Sequence, residues 1–71
     1  MPNEKKIKAR IVELGLTIGE IAVQMRMSAY TLGRKIAGKA KMTLDEAWQL
    51  MSILKIDDCE FLLYFFSHQV A

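Results

Sequence analysis

Apolar residues along this chain recur at the three- and four-residue spacing of helices, and no long stretch alternates as a strand would. This spacing predicts four helices that each have a buried stripe. The stripes consist of Ile7, Ile11 and Leu14; of Ile18, Ile21, Ala22 and Met25; of Leu32 and Ile36; and of Leu44, Ala47, Trp48, Met51 and Leu54. The single proline, Pro2, precedes the first stripe, so proline interrupts no helix interior.

The boundaries of these helices follow from their capping residues. Ser28 is a natural N-cap for the third helix, and Gly15 and Gly38 suit the ends of the first and third helices. In a capping box a serine, threonine, aspartate or asparagine at the N-cap is followed three positions later by glutamate or glutamine. That pattern predicts the starts of the second, fourth and fifth helices at Thr17 with Glu20, Thr43 with Glu46, and Asp57 with Glu60.

Five short helices joined by loops of about two to six residues predict one compact all-α domain over residues 1–71. The second and third helices are separated by so few residues that they must cross steeply, as in a helix-turn-helix. We expect that unit at about residues 17–38 and the C-terminal helix at about residues 58–67. The third helix is then exposed along one side and fits a DNA major groove, which is about 12 Å wide.

Residues 15–39 resemble the helix-turn-helix of the phage lambda-repressor and Cro family of transcriptional regulators. The elements that carry the resemblance are Gly15-Leu16-Thr17 before the second helix, Ile21-Ala22 where the two helices touch, Met27-Ser28 before the recognition helix, and Gly38-Lys39 after it. Residues 43–54 are similar to the fourth helix of the family, so the resemblance covers about residues 5–66. It implies a five-helix DNA-binding domain that binds operator DNA as a dimer and represses or redirects transcription.

Two positions depart from the family pattern. The family often has glutamine in place of Ile18, so only backbone N–H groups can contact a phosphate at that helix end. The family also prefers glycine in place of Arg26, and a non-glycine residue with positive φ costs about 1 kcal/mol unless the turn is built differently.

The resemblance and the residue types together indicate which side chains would touch DNA. The predicted base contacts are Ala29, Tyr30, Gly33 and Arg34, and the predicted phosphate contacts are Thr17, Ile18, Gly19, Thr31, Lys35, Lys39 and Lys41. Arg34 suits either a bidentate contact to guanine or a phosphate contact. Tyr30 either offers its ring and hydroxyl to DNA or packs partly on the domain surface. Gly33 costs a helix about 1 kcal/mol relative to alanine. Its presence indicates close approach of the backbone to the groove, close packing against another helix, or neutral sequence drift.

The charge distribution favours a polyanion as partner. The net charge is only +2, but residues 1–41 carry nine basic against three acidic side chains, and residues 42–71 carry one against five. A basic segment beside an acidic, apolar tail indicates one surface for a polyanion and another for something else. A solvated charged face with a chance imbalance is the alternative.

The apolar run at residues 61–66 wraps past one face of a helix, so part of it is expected to form an interface. Helix geometry groups Leu62, Phe65 and Phe66, which we expect to face the core. We assign Phe61, Leu63 and Tyr64 to a homodimer contact. Burial of the whole helix within one chain is the alternative.

Catalysis and cofactor binding find no support in this sequence. It has one cysteine, Cys59, and one histidine, His68, which cannot make a standard zinc site. We find no nucleophile–base pair and no phosphate loop, so we expect no enzyme, no metal, no cofactor and no small-molecule substrate.

No apolar run has the length of a membrane span or the position of a signal peptide, so we expect a cytoplasmic protein without a membrane partner. The competing hypothesis is a protein-interaction module on the same fold, such as an antirepressor or antitoxin, without direct DNA binding.

Overall fold

A computed structural model describes residues 2–65 of the chain, and within that range it contains helices and no strand. The α-helices are α1 (Glu4–Glu13), α2 (Ile18–Gln24), α3 (Ala29–Ile36), α4 (Leu44–Ile53) and α5 (Phe61–Phe65), with a 3₁₀ turn at Asp58–Glu60. The prediction of a small all-α fold is confirmed. None of the helices between residues 2 and 65 is long and apolar enough to cross a membrane.

Side-chain caps begin the first four helices. Asn3, Thr17, Ser28 and Thr43 each accept a hydrogen bond from the backbone N–H three residues later. In α2 and α4 the glutamate side chain also returns to the backbone N–H of the threonine, so both predicted threonine capping boxes are confirmed. These contacts occupy N–H groups that have no partner within the helix, and they determine where each helix begins.

The same four helices end in one shared motif, in which a residue with positive φ follows the C-cap. Two backbone N–H groups then bond back to carbonyls in the last turn, as in Leu16 to Ile11 at 3.0 Å and Gly15 to Val12 at 2.9 Å at the end of α1. The positive-φ residues are Gly15, Arg26, Gly38 and Lys55. The predicted glycine ends of α1 and α3 are thus confirmed, and α2 and α4 end in the same way on charged residues.

The core is formed by apolar side chains from each of the five helices and from the segment after α4. Its buried members are Ile7, Ile11, Ile21, Ala22, Met25, Leu32, Ile36, Ala47, Leu50, Met51, Leu54, Ile56 and Phe65. The predicted stripe of α4 was partly wrong, because Leu44 is 62% exposed and Trp48 is 42% exposed. The buried side of α4 is centred nearer Leu50 and Leu54, which leaves Leu44 and Trp48 at its edge.

The capping box predicted at Asp57 was wrong, although helical structure does begin near residue 58. Asp57 makes no side-chain cap hydrogen bond, residues Asp58–Glu60 form a 3₁₀ turn, and the α-helix begins at Phe61 rather than near residue 58. A 3₁₀ turn closes hydrogen bonds over three residues, and the N–H of Glu60 bonds to the carbonyl of Asp57 at 2.9 Å. The N–H of Glu60, which the capping pattern assigned to the Asp57 side chain, is therefore bonded to the Asp57 backbone carbonyl instead. The predicted end near residue 67 lies outside the described residues.

Candidate nucleic-acid interface

The α2–α3 unit is held together by apolar contacts around a short turn. Ile21 and Ala22 of α2 and Leu32 and Ile36 of α3 are all buried in one core, and α2 packs more extensively against α3 than any other two elements pack in the described residues. In the turn Arg26 has φ +59°, and Met27 donates its N–H to the carbonyl of Ala22 at 3.0 Å. The turn thus adopts the left-handed conformation at an arginine rather than at a glycine.

The outward side of α3 carries the side chains predicted to touch bases. Tyr30 is 75% exposed, and Ala29 and Arg34 are also exposed. Gly33 and Thr31 are half-buried at the edges of this surface. Leu32 and Ile36 point the opposite way into the core, so α3 has one fixed face and one face that projects from the domain.

Gly33 is not required by packing. A Cβ added at this position would meet nothing within 4 Å, so the interpretation that close helix packing selects this glycine is wrong. Its backbone lies open beside the exposed side chains of α3. Two interpretations of Gly33 are left. Either a partner approaches the backbone closely at this position, or the glycine arose by neutral sequence drift.

Arg34 has two partners in its own chain. Its Nη2 donates to the carbonyl oxygen of Lys39 at 3.0 Å, and its guanidinium carbon lies 6.0 Å from the centre of the Tyr30 ring. These contacts join the middle of α3 to the loop that follows it. An arginine has five N–H donors, so the guanidinium keeps donors for an external acceptor while it is held by the Lys39 carbonyl.

The three lysines predicted to contact phosphate differ in their surroundings. Lys39 and Lys41 are exposed in the loop after α3. Lys35 instead donates from Nζ to Oε2 of Glu46 on α4 at 2.6 Å, with side chains that are 17% and 21% exposed. The hydrogen bond from Lys35, followed by the backbone N–H of Thr43, holds the pKa of Glu46 below its ordinary value of 4.5. The Lys35 charge therefore already has a partner in the folded chain.

Of the predicted phosphate contacts at the start of α2, Thr17 caps the helix itself. Thr17 accepts the N–H of Glu20 through its hydroxyl at 3.1 Å and donates its own N–H to the Glu20 carboxylate at 2.8 Å. Gly19 is exposed, whereas Ile18 is half-buried and packs against the core. The side chain of Ile18 is thus structural, and only its backbone can meet a phosphate.

The residues predicted to form the dimer contact differ in how far they are exposed. Leu63 is 49% exposed. Phe61 is half-buried and stacks on Trp48, with ring centres 4.7 Å apart and an angle of 7° between the planes. Tyr64 is half-buried on the side of α1, where Lys6 lies 5.1 Å from its ring centre. Phe65 is buried as predicted, and Phe66 lies outside the described residues.

Two contacts between helices were not predicted from the sequence. The Trp48–Phe61 stack joins α4 to α5, and the Lys35–Glu46 pair joins α3 to α4. Neither spacing corresponds to a turn of one helix, so no periodic signal marks the partners.

Within residues 2–65 no group of three or more histidine, cysteine, aspartate or glutamate side chains could hold a metal ion. Cys59 is an exposed free thiol, and His68 lies outside the described residues.

No protein-family model, curated protein or solved structure matches this chain.

Proposed function

We propose that this chain is a sequence-specific DNA-binding transcriptional regulator of the phage repressor or Cro type. In this proposal α2 and α3 act as a helix-turn-helix, α3 enters the major groove of operator DNA, and two chains bind one operator. The observation that carries the proposal is the outward side of α3, where Ala29, Tyr30 and Arg34 project from a helix that Leu32 and Ile36 anchor in the core.

The size and chemistry of α3 support this role. A helix with its side chains is about 10–12 Å across and the major groove is about 12 Å wide, so a projecting helix can reach base edges. The start of α3 offers the small side chain of Ala29 and the ring of Tyr30, which suit a thymine methyl group. Arg34 follows one turn later and suits O6 and N7 of guanine.

Arg34 is partly ordered before any ligand arrives, because the Lys39 carbonyl holds one of its nitrogens. Ordering a long side chain in advance lowers the entropy lost on binding. The same contact limits the positions that the guanidinium can reach, which favours one base position over its neighbours.

Lys39 and Lys41 are the strongest candidates for phosphate contacts, since both are exposed and neighbour α3 in the chain. Thr31 offers its hydroxyl, and Ile18 and Gly19 offer backbone N–H groups at the start of α2. The N–H of Thr17 is bonded to the Glu20 carboxylate, so Thr17 would have to release that bond to meet a phosphate. Lys35 would have to leave Glu46 to serve in this way.

A dimer would supply the affinity that a single half-site rarely gives. Leu63 is the exposed residue of the proposed contact, and Phe61 and Tyr64 add their half-buried edges. Leu63→Lys is therefore the informative variant, because it disturbs fewer contacts within the chain than Phe61→Lys would. We expect it to halve the sedimenting mass and weaken operator binding while helix content is kept.

Selection from a random duplex library tests base recognition. We expect an enriched sequence, on which Arg34→Ala loses about 1–3 kcal/mol and relaxes preference at one base position. Lys39→Ala is the matched control, and it should weaken binding to enriched and random duplexes about equally. If both variants lose equally on both duplexes, Arg34 does not read a base.

A protein-interaction module is the second candidate, favoured by the exposed apolar side chains of Leu44, Trp48 and Leu63. It predicts no duplex binding even at low salt, and that result would replace the first proposal.

A further inference from the structure

A groove of about 510 Å³ lies between the amino end of α4 and α5. Leu44 and Ala47 of α4 and Phe61 and Phe65 of α5 form its apolar walls, and residues 38–43 close one side. Its volume falls within the range of about 300–1,000 Å³ that small-ligand pockets occupy. The groove is separate from the outward side of α3, since neither Tyr30 nor Arg34 lines it.

The charged residues that line this groove are both basic. Lys39 and Lys41 line it and are exposed, and none of the described lining residues is acidic. Asp45 and Glu46 lie in the first turn of α4 and do not line the groove. The Glu46 carboxylate is paired with Lys35, and Asp45 is exposed to solvent. An apolar cleft with two ammonium groups at its edge is complementary to a molecule with an apolar chain and an anionic head.

We propose that this groove binds a monomeric anionic amphiphile of the fatty-carboxylate class. The hydrocarbon chain would lie against Leu44, Phe61 and Phe65, and the carboxylate would face Lys39 and Lys41. A cationic amphiphile would place its head beside two positive charges, and a neutral one would forgo the ammonium groups. A nucleic acid would leave the apolar walls unmatched.

Occupancy of the groove would regulate DNA binding, a consequence that rests on the proposed function. Lys39 and Lys41 would be neutralised by the carboxylate, although they are also the exposed lysines proposed for DNA phosphates. In addition, the carbonyl of Lys39 holds Arg34, so a ligand that shifts this loop also shifts the proposed base reader. The amphiphile and DNA should weaken one another by the same factor, because linked equilibria are reciprocal.

Trp48 provides a direct readout of the groove. It is the single tryptophan of the chain, and its ring stacks on Phe61, a wall of the groove, at 4.7 Å. Ligand that contacts Phe61 should therefore change tryptophan emission without any label and without DNA.

The first experiment titrates the full chain with decanoate below its micelle concentration and follows Trp48 emission. We expect a saturable change for decanoate, weaker binding of decanol and none of decyltrimethylammonium. Octanoate should bind about tenfold more weakly than decanoate, since two fewer methylenes are buried.

Three variants assign the site. Leu44→Gln removes an apolar wall at an exposed position and should weaken decanoate about fivefold. Lys39→Gln with Lys41→Gln should weaken decanoate about tenfold and leave decanol unchanged. Lys55→Gln removes one positive charge at the opposite end of α4 and should leave the binding of both decanoate and decanol unchanged. Circular dichroism confirms that each variant keeps its helix content.

The second experiment adds decanoate to the chain bound to its selected duplex. We expect weaker duplex binding, and Leu44→Gln should bind the duplex normally while it resists decanoate. A decanoate response with no duplex binding would retain the amphiphile site and refute the proposed function.

Four results would overturn the proposal. They are no saturable emission change with decanoate, equal binding of decanol and decanoate, a response to phosphatidylglycerol vesicles but not to monomeric decanoate, and a response that depends on protein concentration and accompanies a change in mass. The third would assign the groove to a membrane surface, and the fourth to a second copy of the chain.

Discussion

Arg10 of α1 donates from Nε to the backbone carbonyl of Leu54, the C-cap residue of α4, at 2.9 Å. Its Nη2 also donates to the carbonyl of Lys55 at 3.1 Å, and its Nη1 lies 3.0 Å from the Glu13 carboxylate. A cation at a helix C-terminus satisfies carbonyls that lack partners within the helix and opposes the negative end of the helix dipole. Arg10 thereby fastens the first helix to the end of the fourth.

Arg10→Met should lower the free energy of unfolding by about 1.5–3 kcal/mol, because two carbonyls lose a charged donor while the apolar stem is kept. Urea denaturation followed by circular dichroism measures the loss. Lys8→Met is the matched control, since the Lys8 ammonium forms a surface ion pair with Glu4 at 3.0 Å, and it should cost less than about 1 kcal/mol. Equal losses in the two variants would show that the carbonyl contacts add nothing.

Arg26→Gly should stabilise the fold by up to about 1 kcal/mol, since relief of the positive-φ strain exceeds the greater entropy of glycine in the unfolded chain. Arg26→Ala separates conformation from charge, because alanine removes the charge and keeps the strain. The two variants are compared by their urea midpoints. If glycine is no more stable than alanine at this position, the turn is not strained.

The helices were predictable where the signal is local. Caps at Thr17, Ser28 and Thr43 act within three residues of sequence, and the glycine ends of α1 and α3 act within one turn. Such contacts can be recognised from spacing alone.

Features that depend on the orientation of whole helices could not be predicted in this way. Trp48 has helical spacing from Leu44, yet both lie at the edge of the buried side, because packing of the neighbouring helices determines which part of α4 is covered. Asp57 and Glu60 have the spacing of a capping box, but the backbone there forms a 3₁₀ turn. Lys55 adopts positive φ without the residue type that normally marks it, and at Arg26 only the family resemblance drew attention to that conformation.

In the candidate site, too, local features were predictable and contacts between elements were not. The stripe of Leu32 and Ile36 predicts which side of α3 faces outward, and the exposure of Tyr30 and Arg34 agrees with it. The partners of Arg34 and Lys35 depend on where the following loop and α4 come to lie. Their charges could be counted from sequence, but their availability to a ligand could not.

Glu46→Gln should make stability less dependent on pH. The pKa of Glu46 is depressed in the folded state, so its contribution to stability is complete above the ordinary value of 4.5 and is lost as the pH falls through the folded-state value. The wild-type chain should therefore exceed the variant by roughly 1–2 kcal/mol at neutral pH and approach it in acid. Unfolding free energies measured at several pH values test this.

Lys35→Met serves as the companion variant, because it removes the partner of Glu46 and keeps the glutamate. It should reduce the difference between neutral and acidic pH as Glu46→Gln does. A wild-type chain that keeps its full margin over Glu46→Gln at pH values well below the folded-state pKa would contradict this account of the pair.

Gly33→Ala should separate stability from binding. A Cβ there meets nothing within 4 Å, so alanine should stabilise α3 by up to about 1 kcal/mol. If the backbone of α3 approaches DNA closely, the same methyl should weaken binding to the selected duplex. Urea denaturation and duplex titration are carried out on the same preparation. A more stable variant with unchanged duplex binding would show that DNA does not approach this backbone closely, and would attribute Gly33 to neutral sequence drift.

The salt dependence of duplex binding by the full chain tests the central claim most directly. If a dimer neutralises about four to six phosphates, the logarithm of the association constant should fall with the logarithm of salt concentration with a slope near −4 to −5. Lys39→Ala in both chains should make that slope shallower by up to about 2. Absence of duplex binding at low salt, or binding that does not change with salt, would contradict the assignment of this chain as a DNA-binding protein.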